Sequence, residues 1–262
     1  MMLCPCRKVD VEAHPVFARG ETDFRMCSVC GLVFRERFPS ASELVEIYRK
    51  IYALERIVSG QTDQESGTFA AKSYADFLTR RLLRHGMRVL DFGAGTGALV
   101  EALRAHGFAA DGIEFSMLAR EYCRTHRSFT LLANLDEVPD ACFDAVVMIE
   151  VIEHVADLPG TLAAIWRVLV PGGLLFVTTP NRNGLRARLE GGYWREVQKK
   201  FHLFLFDSNS LKYHLEAVGF QVVRRVLFCP LQRPGLKFFL VARLLQLLSV
   251  QGTLCMIVRR SV

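Results

Sequence analysis

Residues 89–97 read Val89-Leu90-Asp91-Phe92-Gly93-Ala94-Gly95-Thr96-Gly97, and a helix-compatible run from Ala98 to His106 follows. The apolar start is strand-like and closes on Asp91. Glycines permit a tight turn and, having no Cβ, let a flat ligand lie against the main chain. The helix behind them begins with N–H groups that lack intrahelical partners. A strand, a glycine-rich turn and a helix in this order form a nucleotide-sized socket. The spacing is D-x-G-x-G-x-G, not the G-x-G-x-x-G that seats a pyrophosphate on a helix N-terminus. An acid ahead of the first glycine repels a pyrophosphate and attracts a cation. About 20 residues on, the next strand-like run ends in Gly112-Ile113-Glu114, where an acid can accept two ribose hydroxyls.

S-Adenosylmethionine combines an ammonium, a sulfonium and a ribose, so it fits both acids. On these residues the sequence resembles the class I S-adenosylmethionine-dependent methyltransferases. Further matches follow in order: Phe143-Asp144-Ala145-Val146-Val147-Met148, Glu150-Val151-Ile152-Glu153-His154-Val155, Leu169 through Asn181 with its Pro171-Gly172-Gly173 turn, Phe201 to Phe206, and Leu215 to Phe220. The resemblance covers about residues 70–262 and is closest to the branch that methylates small molecules such as quinone precursors and sugars. It implies a cofactor site of Asp91, Phe92, Gly93, Ala94, Gly95, Gly97, Glu114, Phe115, Asn134, Leu135 and Glu150.

Strand-like runs at about 87–91, 109–114, 128–132, 143–149, 173–179, 220–228 and 252–259 alternate with helical runs at about 97–106, 116–126, 157–169 and 207–218. The expected fold is therefore α/β: a Rossmann-like, seven-stranded, mostly parallel sheet with helices on both faces. Ligands of such sheets sit beyond the carboxyl ends of the strands, where these motifs fall. A further helix from about Thr68 to His85 precedes the first strand, and Tyr74 with the polar 59–67 loop either covers the cofactor or belongs to ordinary packing.

Cys4-Pro5-Cys6 and Cys27-Ser28-Val29-Cys30-Gly31 place two cysteine pairs about 20 residues apart. Four thiolates so spaced can close a tetrahedron around Zn²⁺, which would supply stability that the polar segment between them lacks; the first pair is C-x-C rather than C-x-x-C, so His14 in place of one thiol, or four free thiols, are the alternatives. The expected organisation is a zinc-binding knuckle at 1–39, a helical linker and lid at 40–67, and the methyltransferase domain at 68–262. Ser40-Ala41-Ser42-Glu43 is a capping-box pattern that opens the linker helix. Cys123, Cys142, Cys229 and Cys255 read as packing residues.

The start of the chain lacks a charged region followed by an apolar run. No stretch reaches the roughly 20 apolar residues of a membrane span, and the expected location is cytoplasmic. Residues 236–248 are an apolar helix interrupted by Lys237, Arg243 and Gln246. That helix packs on the sheet, rests on a membrane surface, covers the substrate or makes a homodimer contact.

Net charge is +6 overall, but residues 182–262 hold 14 Lys and Arg against 4 Asp and Glu. This surplus suits an acidic partner or is plain solvated surface. Methyl transfer to oxygen needs alignment and a proton acceptor. His154, after the fourth strand, and His202, in the aromatic-rich loop from Tyr193 to Phe206, are the candidate bases. Tyr193, Trp194, Phe201, Phe204 and Phe206 either line an acceptor pocket or pack. The acceptor is expected to be an oxygen on a small aromatic, quinone-like or sugar metabolite. RNA or protein is the alternative. It is disfavoured because Met148-Ile149-Glu150-Val151 stands where methyltransferases of base amino groups place Asn/Asp-Pro-Pro-aromatic.

Overall fold

The structure is a computed structural model that describes residues 4, 6, 13–17, 23–51, 64–226 and 252–262. The helix expected at 236–248, Cys229 and most of the loop expected at 59–67 lie outside them. The central sheet contains β4 (Arg88–Phe92), β5 (Ala109–Ile113), β6 (Phe143–Ile149), β7 (Leu169–Pro180), β9 (Phe220–Arg225) and β10 (Thr253–Arg260). Their spatial order is β5-β4-β6-β7-β10-β9. The first three contacts are parallel and the last two antiparallel.

Strand periodicity divides the core between the two faces. Leu90, Val146, Met148, Leu175 and Val177 point to one side, with Leu162 and Ile165 of α5 (Leu158–Val168) and Leu211 and Leu215 of α8 (Ser208–Ala217). Val89, Ala145, Val147 and Phe176 point to the other. There they meet Tyr74 and Leu78 of α2 (Gln64–Arg81) and Val100 and Leu103 of α3 (Ala98–Ala105). Tyr74 stands edge-on to Phe176, with ring centroids 6.3 Å apart.

The sheet has six strands among the described residues, not the seven expected. The run at 128–132 contributes one bridge, Ile113 to Leu132, made by Leu132 N–H to Gly112 O and Glu114 N–H to Leu132 O. Ser128 has a left-handed φ of 59°, and Asn134 already caps the 3₁₀ turn Leu135–Glu137. Too few extended residues remain between them for a ladder.

A second sheet is antiparallel and small: β1 (Ala13–Pro15), β2 (Phe24–Cys27), β3 (Val33–Arg35) and β8 (Phe204–Leu205), in that order. Its last strand comes from the chain after β7. Val33 pairs with Leu205 and Phe34 with Phe204, so the cysteine-bearing ribbon is stitched to the larger body. The capping box forms at α1 (Ala41–Ile51): the Ser40 N–H donates to Glu43 Oε2 at 2.8 Å, and the Glu43 N–H donates to Ser40 Oγ at 3.3 Å. α4 (Met117–His126) completes the layer beside β5. Among the described residues no helix is long and apolar enough to cross a membrane.

Candidate active site

The turn after β4 is built from backbone. The N–H groups of Gly93 and Ala94 both donate to Ile113 O, at 2.9 and 2.8 Å, which ties the turn to the end of β5. Gly93 has φ +85°, and a Cβ there would come within 2.4 Å of Val151 Cγ2. Gly97 has φ +78°, and a Cβ would come within 2.7 Å of Cys123 Sγ. Neither position admits a side chain without displacing its neighbour.

Glu114 is buried, and its carboxylate is aimed by two main-chain donors. Gly95 N–H donates to Oε2 at 2.8 Å and Ser116 N–H to Oε1 at 2.7 Å. Arg120 donates to the carbonyls of Glu114 and Phe115 and fixes the turn behind it. Phe115 is exposed and stands edge-on to buried Phe92, offering an apolar face beside Glu114. Asn134 Oδ1 accepts from Asp136 N–H at 2.9 Å, and Leu135 is buried next to it. Asp91, the glycine turn and Glu114 thus stand at the carboxyl ends of the neighbouring strands β4 and β5.

Asp91 is 4% exposed. Burial first, and the Glu114 charge second, push its carboxyl up to about 7. Burial also raises Glu114, against the pull of the Ser116 and Gly95 N–H groups. Two neighbouring buried acids without a cation are mutually unfavourable. A positively charged ligand removes that conflict.

Past β6 the chain carries a second pair of acids, each aimed by a threonine at the end of β7. Glu150 adopts a left-handed φ of 53°, an uncommon backbone for its type. Its Oε1 accepts from Thr178 Oγ1 at 3.1 Å, and burial pushes its carboxyl up to about 7. Glu153 is 1% exposed, accepts from Thr179 Oγ1 at 2.9 Å, and is held well above the usual carboxylate range by burial and by Glu150.

His154 Nδ1 lies 3.0 Å from Phe201 O. A carbonyl only accepts, so Nδ1 carries the proton in that contact, while Nε2 lies 3.8 Å from Glu153 Oε1. Burial lowers the His154 pKa. His202 is 1% exposed, packs 4.7 Å from the His154 ring, and is pushed down to about 2 by burial and then by His154. Glu153, His154 and His202 each offer a metal-ligand atom, all within 4.8 Å of one another.

A cavity of about 360 Å³ opens beside Glu150, at the carboxyl ends of β6 and β7. Pro180, Trp194 and Ala187 give it apolar wall; Arg186, Arg195 and Lys199 give it charge. Of the five aromatic residues singled out in the sequence, Trp194 lines this cavity. Tyr193 is exposed, Phe204 and Phe206 are core, and Phe201 packs on His154. His154 and His202 do not line it, though His202 Nε2 lies 3.6 Å from the lining residue Glu196. The Arg186, Arg195 and Lys199 set escaped sequence reasoning because three cations scattered through an irregular excursion have no period.

The four N-terminal cysteines converge. Cys4 Sγ and Cys30 Sγ are 3.5 Å apart, Cys6 Sγ and Cys27 Sγ 3.7 Å, and all four lie within 4.8 Å of one another. Tetrahedral Zn–S bonds of ~2.3 Å place sulfurs about 3.8 Å apart, so the donor set fits the ion. The Cys4 thiol drives the Cys30 thiol down to about 3, and His214 of α8 assists from the larger body.

Arg35 of β3 joins this ribbon to the cavity. It is 6% exposed, and its guanidinium lies 4.4 Å over the Phe24 ring. Its Nη2 donates to Val197 O at 3.0 Å and Lys199 O at 3.3 Å, and its Nε donates to His202 O at 3.3 Å. One buried cation thus collects three carbonyls of the excursion that carries Arg195, Lys199 and His202.

Comparison with known proteins agrees with this geometry. A family profile described as a methyltransferase domain matches residues 66–225. The chain belongs to that family. It is 38% identical over 112 residues to the mouse mitochondrial ubiquinone biosynthesis O-methyltransferase, covering 38% of this chain and 30% of that protein. It is 32% identical over 118 residues to the Pseudomonas putida ubiquinone biosynthesis O-methyltransferase, covering 41% and 50%. The aligned part thus spans half or less of those relatives.

Among solved structures, a putative methyltransferase complexed with the Haloferax volcanii Trm112 activator superposes with TM-score 0.60 at 20% identity, over 80% of this chain and 98% of that one. The [4+2]-cyclase SpnF superposes with TM-score 0.59 at 21% identity, over 86% and 97%. At such identity these likenesses concern the fold. A cyclase among them illustrates that function resides in the site.

Proposed function

We propose that the protein transfers the methyl group of S-adenosylmethionine to an oxygen of a small aromatic or quinone-like metabolite. The observation that carries this reading is the cavity lined by Glu150, a residue of the expected cofactor set, which has the size of a single-ring ligand site. The ubiquinone-pathway relatives support the same class of acceptor.

The cofactor supplies a methyl already activated by a sulfonium. Asp91 favours its cationic end through charge. Glu114, held at both oxygens by main-chain N–H groups, accepts the ribose hydroxyls. Asn134 and Leu135 flank the base, and Phe115 offers it an apolar face. Glu150 borders both the methionine end and the acceptor. The acceptor oxygen forms its bond to the methyl carbon as the C–S bond breaks, leaving the electron pair on sulfur. Alignment and exclusion of water supply much of the acceleration. The hydroxyl proton goes to Glu150, which lines the cavity with a pKa near neutrality. His154 Nε2 is the next acceptor, and His202 braces the His154 ring.

Cys4, Cys6, Cys27 and Cys30 would hold a structural Zn²⁺ that cross-links the ribbon. In this reading residues 1–39 are a knuckle and 40–67 a linker, and the knuckle is shaped to support the excursion lining the cavity. Labelled methyl transfer into a cell lysate, split into small-molecule, protein and RNA fractions, tests the reading. Label in the small-molecule extract is expected. Label confined to RNA or protein would overturn it.

A further inference from the structure

We propose that the acceptor is an aromatic acid, its ring against Trp194 and its carboxylate facing Arg195 and Lys199; this rests on the methyltransfer reading. The cavity's wall combines apolar Pro180, Ala187 and Trp194 with three cations and two acids, Glu150 and Glu196. Trp194, 5% exposed and packed with Ala187 and Val197, forms part of the apolar wall, and Arg186, Arg195 and Lys199 also line the cavity. Arg186 is engaged by Glu190 and Lys199 by Glu196. Arg195 makes no ion pair or hydrogen bond among the described residues, so its planar donor fork is free for a carboxylate.

The acids of the lining do little to offset this. Glu196 is held by Lys199, and Glu150 is partly protonated near neutral pH. An uncharged quinone precursor would leave the Arg195 guanidinium without a partner. An acceptor with a carboxylate across the ring from its hydroxyl matches both the apolar wall and the cations, and the charge pair fixes which hydroxyl faces Glu150. The basic surplus of residues 182–262 then has a local use at this opening.

Caffeate and its methyl ester differ in charge and little else, which makes them suitable probes. Each is titrated calorimetrically into protein saturated with S-adenosylhomocysteine. Saturation itself is the check on the methyltransfer reading, because failure to bind S-adenosylhomocysteine sinks that reading before the acceptor is added. Caffeate is expected to bind about 10-fold more tightly than the ester, a gap of about 1.4 kcal/mol. In Arg195→Gln/Lys199→Gln the gap should close, with ester and S-adenosylhomocysteine affinities unchanged. Arg195→Gln alone, at an exposed position, should remove at least half of the gap and guards against misfolding of the double variant. Equal or tighter binding of the ester, a gap that survives both variants, or no caffeate binding would each overturn the proposal.

Discussion

The proposed cofactor socket and the proposed acceptor side are assembled in opposite ways. The socket comes from one stretch, Asp91 to Glu150, and much of it is backbone: paired N–H groups of Gly93 and Ala94 on one carbonyl, and two N–H groups aiming Glu114. The acceptor side draws on segments far apart in the chain. Arg35 comes from the N-terminal ribbon, Glu150 and Thr178 from the ends of β6 and β7, and Arg195 and Lys199 from the excursion after β7. A local, backbone-built site depends on a few conformations that glycine allows. A site gathered from distant segments depends on whatever braces those segments, here one guanidinium and one pair of short strands.

The contrast is sharpest for cofactor binding. Asp91→Ala removes the charge that receives the cationic end and should weaken S-adenosylhomocysteine binding by 100-fold or more in calorimetry, leaving the acceptor side intact. The same substitution should stabilise the ligand-free protein. Asp91 rises from its ordinary 3.8 to about 7 on folding, so the folded chain holds this proton more tightly than the unfolded chain. Stability from this group therefore falls as pH climbs from about 4 to about 7. The penalty is on the order of 2–4 kcal/mol above that window. Melting curves of wild type should show this slope, and Asp91→Ala should lack it.

Next in size is metal loss. Purified without chelator, the protein should carry about one equivalent of Zn. Stripping it, or Cys27→Ser, should cut acceptor turnover at least 10-fold while S-adenosylhomocysteine affinity stays within about threefold. An equal loss of both would mean that the ribbon supports the whole fold rather than one side of it.

Arg35→Met isolates the brace. Three carbonyls lose their donor, a cost of about 1–3 kcal/mol. Acceptor KM should rise about 10-fold with cofactor affinity unchanged and with Zn content retained. Partial recovery in Arg35→Lys, which restores a donor but not the fork, separates positioning from simple destabilisation.

Proton transfer gives a smaller signature. If Glu150 takes the proton, kcat/KM rises with pH through about 7 as its carboxyl ionises, and Glu150→Gln flattens that limb. His202→Ala should be the mildest, lowering turnover severalfold and more than it lowers cofactor affinity. A fully active His202→Ala would remove that side chain from the account.

The same contrast explains what was legible in the sequence. Asp91, the three glycines and Glu114 stand at fixed offsets because a tight turn and a strand end impose them. Six strands, the helices of the core and the Ser40–Glu43 capping box are likewise local. The strand expected at 128–132 failed for a local reason too: left-handed Ser128 and the Asn134 cap leave only one bridge. Arg35 could not be read, because its three acceptors lie more than 160 residues away. The pairing of β3 with β8 was hidden for the same reason. The aromatic excursion read equally as a ring pocket or as packing; four of its five aromatic residues lie outside the cavity lining, and three cations are part of that lining.

The central claim is that the glycine turn behind Asp91 receives a cationic nucleoside and rejects a dinucleotide. Titrating the wild-type protein with S-adenosylhomocysteine and, separately, with NAD tests it directly. The account predicts saturable micromolar binding of S-adenosylhomocysteine and no measurable binding of NAD. NAD binding as tight as or tighter than S-adenosylhomocysteine would contradict it.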